Sequence, residues 1–238
     1  KVSSFHINFI DKKASEELKE VFMQRIGIQY HWKNKNYNSF DDFLDNMKSR
    51  KKKNIIKERK FLKESNINFT FKYGEEISEK DLKLFFECYK NTIKKKWSYQ
   101  YLNFEFFRRL LDSDLKNKIL LIIASNDKNF IGSSLHFIGK NTLYGRYWGT
   151  LQEIPYLHFE LCYYQAIEFA IKKKLSKIEA GAQGEHKISR GYLPKIIYSN
   201  HWVKDEIIRD GVKKFLSYEK EKVVETIKLL ETYNPFND

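Results

Sequence analysis

The sequence of 238 residues has few cysteines and no long apolar segment. Its two cysteines, Cys88 and Cys162, lie in apolar patterns of helical spacing, which favours buried thiols over a disulfide or a pair of metal ligands. No run of about 18 apolar residues occurs, and the first residues lack the basic-then-apolar layout of a signal peptide. The sequence therefore predicts a cytoplasmic protein without a metal site or a membrane span.

The composition is that of a globular chain with an excess of positive charge. Hydrophobic residues make up 42% and aromatic residues 16%, which is enough to bury a sizeable core. The formal net charge of +13 favours an anionic partner, such as a nucleotide-linked sugar, an RNA or a lipid headgroup, if the charge is clustered. Lysine, asparagine and isoleucine are frequent throughout, so part of this charge is compositional background.

One segment concentrates the basic residues. Lys48–Lys60 carries eight of them in thirteen positions and has the pattern of a helix. It is either a solvated helix that links two parts of the chain or an electrostatic contact to a phosphate-bearing substrate or RNA. The cations expected to make that contact are Arg50, Lys52, Lys53 and Lys57. No aromatic residue interrupts the run, so stacking of single-stranded bases is not indicated there.

The first residues of the chain have the pattern expected for the last part of a folded unit. Val2–Phe9 alternates like a strand, and Ala14–Ile26 has the spacing of an amphipathic helix. Ile28–Lys33 then reads as a strand, and Ser39 as the N-cap of a helix. The string Ser-Ser-x-His at Ser3 recurs at Ser133, which indicates an internal duplication.

From Asn66 onwards the hydrophobic pattern predicts the order β-α-α-β-β-β-α-β-loop-β. The strands are expected at 67–73, 118–125, 130–138, 142–150, 177–180 and 195–202. The helices are expected at 78–97, 104–111, 157–173 and 220–232. This order predicts an α+β fold with a mixed, mostly antiparallel sheet flanked by helices.

A glycine-punctuated loop, Glu179–Pro194, carries the densest group of reactive side chains. Glycines allow positive φ angles or close backbone approach. Adjacent Glu185 and His186 suit proton transfer near neutral pH, because imidazole titrates there. Lys187 and Arg190 suit a phosphate or carboxylate group. The alternative is a polar turn that follows a strand.

Six short motifs stand out along the chain. They are G-A-Q-G-E-H-K-x-x-R-G-Y-x-P at Gly181, S-x-H-W at Ser199, R-Y-W-G at Arg146, L-H-F-E-x-C-Y-Y-Q at Leu157, Q-Y-H-W at Gln29 and F-D-D-F-L at Phe40. Together they resemble the motifs of a bacterial family of predicted N-acyltransferases. The family is labelled peptidoglycan biosynthesis/recognition and is similar to the FemAB peptidyltransferases. The resemblance implies two acetyltransferase-like (GNAT-like) units and transfer of an acyl or aminoacyl group.

The resemblance also implies a domain division and a place for the site. Residues 1–47 would be the tail of a first GNAT-like unit, 48–64 a basic linker helix and 65–238 a complete unit. In such folds the fourth strand and the next helix diverge from the fifth strand, and donor and acceptor meet in that opening. The residues expected there are the catalytic Glu185 and His186 and the substrate-binding Arg146, Tyr147, His158, Glu160, Gln183, Lys187 and Arg190.

Several of these residues have a plainer interpretation. Glu160 lies in a first helical turn, where a carboxylate complements the helix dipole without any function. His158 is also explained as a capping residue. Tyr147 and Trp148 alternate along a strand, so one of them is expected in the core.

One departure from the acetyltransferase pattern bears on the donor. Those enzymes hold the CoA pyrophosphate with a glycine-rich turn at a helix N-terminus. The corresponding Gly149–Tyr156 has one glycine and a proline. This departure counts against acyl-CoA as the donor, so an aminoacyl-tRNA, as in the FemAB relatives, or another activated acyl group competes with it. No permanently bound cofactor is expected. The acceptor would be a small-molecule or glycopeptide-type amine.

Two functions remain open at this point. The first is an N-acyltransferase that acts in cell-wall precursor metabolism and has tRNA as a candidate partner. The second is a non-catalytic or degenerate protein that binds an anionic glycan precursor or RNA.

Overall fold

A computed structural model describes residues 2–95, 97–127 and 129–237. Its strands are β1 Ser4–Ile10, β2 Met23–Lys33, β3 Ile67–Tyr73, β4 Ile119–Asn126, β5 Asn129–Ile138, β6 Thr142–Thr150, β7 Lys177–Glu179 and β8 Leu193–Val203. Its α-helices are α1 Lys12–Glu17, α2 Phe40–Asp45, α3 Ser49–Glu64, α4 Glu79–Lys95, α5 Phe104–Leu111, α6 Leu157–Phe159, α7 Gln165–Lys172 and α8 Glu206–Glu231. A π-helical segment, Glu160–Tyr164, joins α6 to α7, and short 3-10 segments lie at Gly74–Glu76, Lys116–Lys118 and Glu185–Arg190.

The described residues form two compact units. The first comprises residues from 2–31 and 182–234, and the second those from 32–181 and 235–237. Both are α+β, with mostly antiparallel strands flanked by helices, as the sequence predicted. None of the described helices is long and apolar enough to cross a membrane.

In the first unit, β8 lies between β1 and β2 and runs antiparallel to both. A buried hydrogen bond connects α1 to β8: the Ser15 hydroxyl donates to the side-chain oxygen of Asn200 at 2.6 Å. On β1 and β8, His6 and His201 are paired directly, with their Nδ1 atoms 2.8 Å apart. The long helix α8 packs against β8.

In the second unit, the strand order is β7-β6-β5-β4-β3, and only the β6–β7 pair is parallel. The apolar run of β4 is buried, and α4 and α5 pack their aromatic residues against it, including Phe85 and Phe107. Helix α4 approaches β6 so closely that a Cβ at Gly149 would lie 2.0 Å from the carbonyl oxygen of Cys88. Only glycine fits at this position of the R-Y-W-G motif.

The structure corrects one segment near the start of the chain. Helix α1 ends at Glu17, and Met23–Ile26, which the sequence assigned to a helix, is the beginning of β2. These four residues pair with Tyr198–His201 of β8. Pairing with a strand so far along the chain overrides the local helical spacing, which is how tertiary context commonly overrides propensity.

The domain division at residues 47 and 64 stays a prediction, and the compact units are bounded at other residues. Strand β8 pairs with both β1 and β2, so residues from the far end of the chain belong to the same unit as the residues up to His31. The basic segment is helix α3 and belongs to the second unit. The duplication of a GNAT-like unit stays a prediction. The predicted helix 78–97 is α4, which ends at Lys95; Lys96 lies outside the described residues.

Candidate functional site

Strand β6 extends beyond its pairing with the short strand β7 in the second unit. Residues Thr142–Tyr144 of β6 pair with Lys177–Glu179 of β7, and β6 continues to Thr150. The register between β5 and β6 shifts at the same level, so Arg146 is the extra residue of a bulge. Its exposed guanidinium donates to the carbonyl of Gly145 at 3.1 Å and lies over the Tyr144 ring. The opening that the resemblance implied between these two strands stays a prediction, since β7 ends at Glu179 and all of its residues pair with β6.

The two aromatic residues that follow on β6 face different surroundings. The Tyr147 ring packs against Tyr89 and Phe107 of the hydrophobic core, with ring centroids 5.5 and 5.9 Å away. Trp148 instead stacks on His158, at a centroid distance of 4.3 Å. Trp148 and His158 both line a cavity of about 620 Å³. Of the two residues, Trp148 is thus the one placed against a cavity, although the sequence favoured Tyr147.

The helix that follows β6 begins irregularly. Tyr156 precedes it in the left-handed region, with φ 66°, and α6 has only three residues before the π-helical segment. Such segments widen a helical turn and are common at functional sites. The Leu161 carbonyl in this segment accepts a hydrogen bond of 2.8 Å from the Ser134 hydroxyl.

Ser134 also lies 2.9 Å from Nε2 of His136, which is completely buried. Because the Ser134 proton is directed to Leu161, the ring nitrogen is the donor in this contact. Burial lowers the pKa of His136 to about 4, so the ring is neutral at pH 7. This histidine is held as a structural group beneath the π-helical segment.

Glu160 has the most constrained environment of the predicted residues. It is 2% exposed and receives hydrogen bonds from Nε of Arg59 at 3.0 Å and from the Gln165 amide at 2.7 Å. A second Arg59 nitrogen lies 2.9 Å from Glu160 and 2.7 Å from Glu168. Burial raises the pKa of Glu160, and the Arg59 charge opposes that shift. These contacts give Glu160 a structural role; substrate binding by it stays a prediction.

In the first unit the glycine-rich loop forms a 3-10 turn, Glu185–Arg190. Gly184 precedes it with φ +95°, and a Cβ there would lie 2.4 Å from the His186 ring. Glycine is therefore required for the ring to fold back over the turn. Gly191 ends the turn in the left-handed region.

The side chains of this loop separate into a buried and an exposed pair. Lys187 and Arg190 are 5% and 7% exposed. Lys187 donates to the Gln183 carbonyl, and Arg190 donates to the His186 carbonyl at 2.9 Å. Glu185 and His186 are exposed, as is Gln183. The buried cations therefore hold the loop backbone, while the acid and the imidazole face outward.

The charges of the buried pair act on the imidazole. Partial burial lowers the pKa of His186, and the cations of Arg190 and Lys187 lower it further. A neutral imidazole at pH 7 can accept a proton. The role of Glu185 and His186 as catalytic residues stays a prediction.

The cations of α3 have unequal surroundings. Arg50, Lys53 and Lys57 are exposed, and none of them makes an ion pair within the described part of the chain. Lys52 is paired with Asp45. Arg59, by contrast, points to the buried Glu160 and lies over the Phe40 ring at 4.4 Å. Helix α3 thus has one face for packing and one that is available to an anion.

The predicted residues are distributed over the two units. Gln183, Glu185, His186, Lys187 and Arg190 lie together on the loop of the first unit, while Arg146, Tyr147, His158 and Glu160 lie in the second. The sequence analysis missed the pairing of Arg59 with Glu160, and it left open which of Tyr147 and Trp148 lies in the core. The sequence offered two signals for these roles. The polar first turn that contains Glu160 indicated a partner for the acid, and the alternation along β6 indicated that Tyr147 and Trp148 face opposite sides. Among the described residues no group of three histidine, cysteine or acidic side chains is arranged to hold a metal ion.

Comparison with known proteins gives one family and several similar structures. The model of the FemAB-like family, described as peptidoglycan biosynthesis/recognition, matches residues 1–238. No curated protein matches the sequence.

L-PGS from Bacillus licheniformis is similar in structure, with a TM-score of 0.63 and 7% identity over 89% of this chain and 71% of that one. FemX is similar with a TM-score of 0.63 and 11% identity over 89% and 75%. The C-terminal domain of a putative lysylphosphatidylglycerol synthetase from Agrobacterium fabrum has a TM-score of 0.63 and 6% identity over 86% and 68%. At these identities the similarity is one of fold.

Proposed function

The chain belongs to the FemAB-like family of peptidoglycan biosynthesis/recognition proteins, and we propose that it transfers an aminoacyl or other acyl group to an amine acceptor. The family membership over residues 1–238 is the observation that carries this proposal. The name of one structural relative, a lysylphosphatidylglycerol synthetase, is in keeping with an aminoacyl group as the transferred unit. A glycopeptide-type precursor of the cell wall is the proposed acceptor.

In the proposed reaction the acceptor nitrogen attacks the acyl carbonyl. A nitrogen–carbon bond forms, the bond from the carbonyl carbon to the leaving oxygen or sulfur breaks, and the amine proton must go to a base. His186 is the proposed base, since it is exposed and its lowered pKa keeps it neutral at pH 7. It then returns the proton to the leaving group. Glu185, its neighbour, is proposed to orient the ring or share the proton.

Substrate contacts in the second unit are proposed for residues on β6 and on the helix that follows it. We assign Arg146, at the bulge of β6, to an anionic group, and His158, in the wall of the cavity that Trp148 also lines, to a contact with the substrate. Tyr147 is packed in the core and would act through its backbone or by supporting the strand. Lys187 and Arg190 are proposed to hold the loop in shape, with Gln183 as the backbone acceptor of Lys187.

An aminoacyl-tRNA is the favoured donor, and acyl-CoA the alternative. The turn Gly149–Tyr156 has one glycine, and the helix after it has three α-helical residues before the π-helical segment. Such a turn offers few aligned N–H groups to a pyrophosphate. A cytoplasmic location, where both donors occur, is part of the proposal.

A transfer assay tests this function. Purified protein is incubated with a glycopeptide precursor and either aminoacyl-tRNA or acetyl-CoA, and the acceptor is analysed by mass spectrometry. We expect the acceptor to gain the mass of one aminoacyl group from the tRNA donor. Tight binding of the precursor without transfer from either donor would favour the non-catalytic function, which the exposed Arg50, Lys53 and Lys57 also suit.

A further inference from the structure

The first unit contains a cavity that the proposed reaction does not use. Its volume is about 760 Å³, in the range of pockets that hold small organic molecules. Its wall is formed by the turn between α1 and β2, the end of β8 and one face of α8. Among the described residues it shares none with the loop Glu185–Arg190. We call it the basic cavity, defined by Lys19, Trp202, Arg209, Lys213, Leu216 and Lys220.

Basic side chains from two elements line this cavity. Arg209, Lys213 and Lys220 follow one another on α8 at intervals of four and seven residues, which places them on the same face of the helix. Lys19 is contributed by the turn between α1 and β2. Among the described residues of the wall, these four cations face one carboxylate, that of Glu20. A concave surface with such an excess of one charge attracts ions of the opposite charge.

The cations differ in their ion pairs with the protein. Three of them are paired with exposed acids that do not line the cavity: Lys19 with Glu16, Arg209 with Glu206 at 3.2 Å, and Lys213 with Asp210 at 3.7 Å. Lys220 makes no ion pair within residues 2–95, 97–127 and 129–237. Exposed pairs of this kind contribute little free energy, so the cations can still bind an anion in the cavity.

Three uncharged polar side chains of the wall are already hydrogen-bonded within the protein. They are Gln24, whose amide donates to the Ser15 hydroxyl at 2.7 Å, Ser217, whose hydroxyl donates to the Lys213 carbonyl at 3.1 Å, and His201, whose ring nitrogens lie 2.8 Å from His6 and 2.9 Å from Ser199. A site that distinguishes a base or a sugar needs neutral donors and acceptors directed at the ligand. The cations are therefore the polar groups best placed to bind a ligand here.

The rest of the wall is largely apolar. Val21, Phe22 and Met23 line it from the turn and the start of β2, Trp202 from β8, and Leu216 from α8. Leu216 is buried, and Trp202 is half-buried. An apolar surface beside a cluster of cations matches a ligand that is apolar at one end and anionic at the other.

We propose that the basic cavity binds one molecule of an anionic amphiphile, a compound with a phosphate group on an apolar chain. The phosphate is bound by Arg209, Lys213 and Lys220, since guanidinium and ammonium groups donate strong hydrogen bonds to phosphate oxygens. The chain lies against Trp202 and Leu216. An RNA strand fits less well, because it carries a phosphate at every nucleotide and these cations are confined to one cavity.

Binding of monomeric octyl phosphate to the whole protein, measured by isothermal titration calorimetry, tests the proposal. We expect Lys213→Gln and Lys220→Gln each to weaken binding about 10-fold, the usual effect of losing a hydrogen bond to a charged group. Both side chains are exposed, so neither substitution should unfold the protein. The matched control is Lys214→Gln, an exposed neighbour that does not line the cavity, and it should bind like the unaltered protein.

Further probes separate the two ends of the ligand. Octyl glucoside has the same chain without the charge, and inorganic phosphate has the charge without the chain. We expect both to bind at least about 10-fold more weakly than octyl phosphate. Decyl phosphate should bind up to about 15-fold more tightly, since each methylene that becomes fully buried tightens binding about 4-fold.

Three results would overturn the proposal. The first is the absence of octyl phosphate binding, and the second is equal binding by the Lys213→Gln, Lys220→Gln and Lys214→Gln variants. The third is equal binding of octyl phosphate and inorganic phosphate, which would reduce the cavity to a site for small anions. Vesicles containing phosphatidylglycerol are the remaining probe. Binding to vesicles without binding to monomeric octyl phosphate would indicate a membrane-facing surface and would also overturn the proposal.

Discussion

The guanidinium of Arg59 holds the carboxylate of Glu160 through nitrogen–oxygen distances of 2.9, 3.0 and 3.2 Å, although 101 residues separate them in the chain. The acid is buried, and the arginine comes from the most basic helix of the protein. This ion pair ties α3 to the π-helical segment after β6.

The first prediction concerns the stability of this pair. Replacing Arg59 with methionine leaves the Glu160 charge buried without its cation, so we expect a loss of about 3–5 kcal/mol in the free energy of unfolding. Urea unfolding followed by circular dichroism measures it. Lys83→Met, which breaks an exposed pair with Glu79, is the control and should cost less than about 1 kcal/mol. Equal, small losses in both variants would mean that the buried pair contributes nothing.

The second prediction is a dependence of stability on pH. His136 is neutral when folded, with a pKa of about 4 against an ordinary value of 6.5, so the unfolded chain binds its proton more readily. Its contribution to stability is complete above pH 6.5 and is lost as the pH falls toward 4, a change on the order of 3 kcal/mol.

The free energy of unfolding, measured at pH 7, 5.5 and 4.5, should therefore fall more steeply with decreasing pH for the unaltered protein than for His136→Gln. His201→Gln is the control, since partial burial lowers its pKa as well but the ring is not enclosed. Parallel curves for the unaltered protein and His136→Gln would contradict the prediction.

The third prediction concerns the exposed acid and imidazole of the loop. If transfer activity is found, His186→Ala and Glu185→Gln should lower kcat by about 10²- to 10⁴-fold, which is the usual effect of losing a general acid or base. The pH profile of kcat/KM should lose its acidic limb in His186→Ala. His6→Gln is the control and should keep its activity. Folded variants of both loop residues with full activity would exclude the loop from the chemistry.

Arg190 is expected to behave differently from these two. Since it is buried and donates to the His186 carbonyl, Arg190→Ala should lower the melting temperature as well as the activity. A change in KM alone, with an unaltered melting temperature, would show instead that Arg190 contacts the substrate.

The fourth prediction separates the two faces of helix α3. Reversing the exposed Arg50, Lys53 and Lys57 to glutamate should weaken binding of tRNA or a nucleotide sugar and flatten its salt dependence. Lys52 is expected to contribute less, because Asp45 already pairs with it. Reversing Lys80, Lys83 and Lys90 on α4 changes the charge equally and is the control. If both sets weaken binding equally, the net charge of the protein alone explains the binding. If neither set weakens it, α3 is a solvated helix without an anionic partner.

Much of the local structure could be read from the sequence. Helix α5 and strands β3 and β6 have the predicted bounds, because their periodicity is regular and polar turns flank them. The fold class was confirmed for the same reason. The start of β2 was missed because Met23–Ile26 has helical spacing but pairs with β8.

What the sequence determined by itself was most of the elements, the family motifs and the loop where acid and imidazole adjoin, since each depends on residues close together in the chain. What only the tertiary structure decided was the surroundings of each side chain. Arg59 is the half-buried partner of the buried Glu160 and not a surface cation, and Trp148 lines a cavity while Tyr147 packs against the core. The physical reason is that burial and ion pairing depend on contacts between residues distant in sequence, which periodicity does not record.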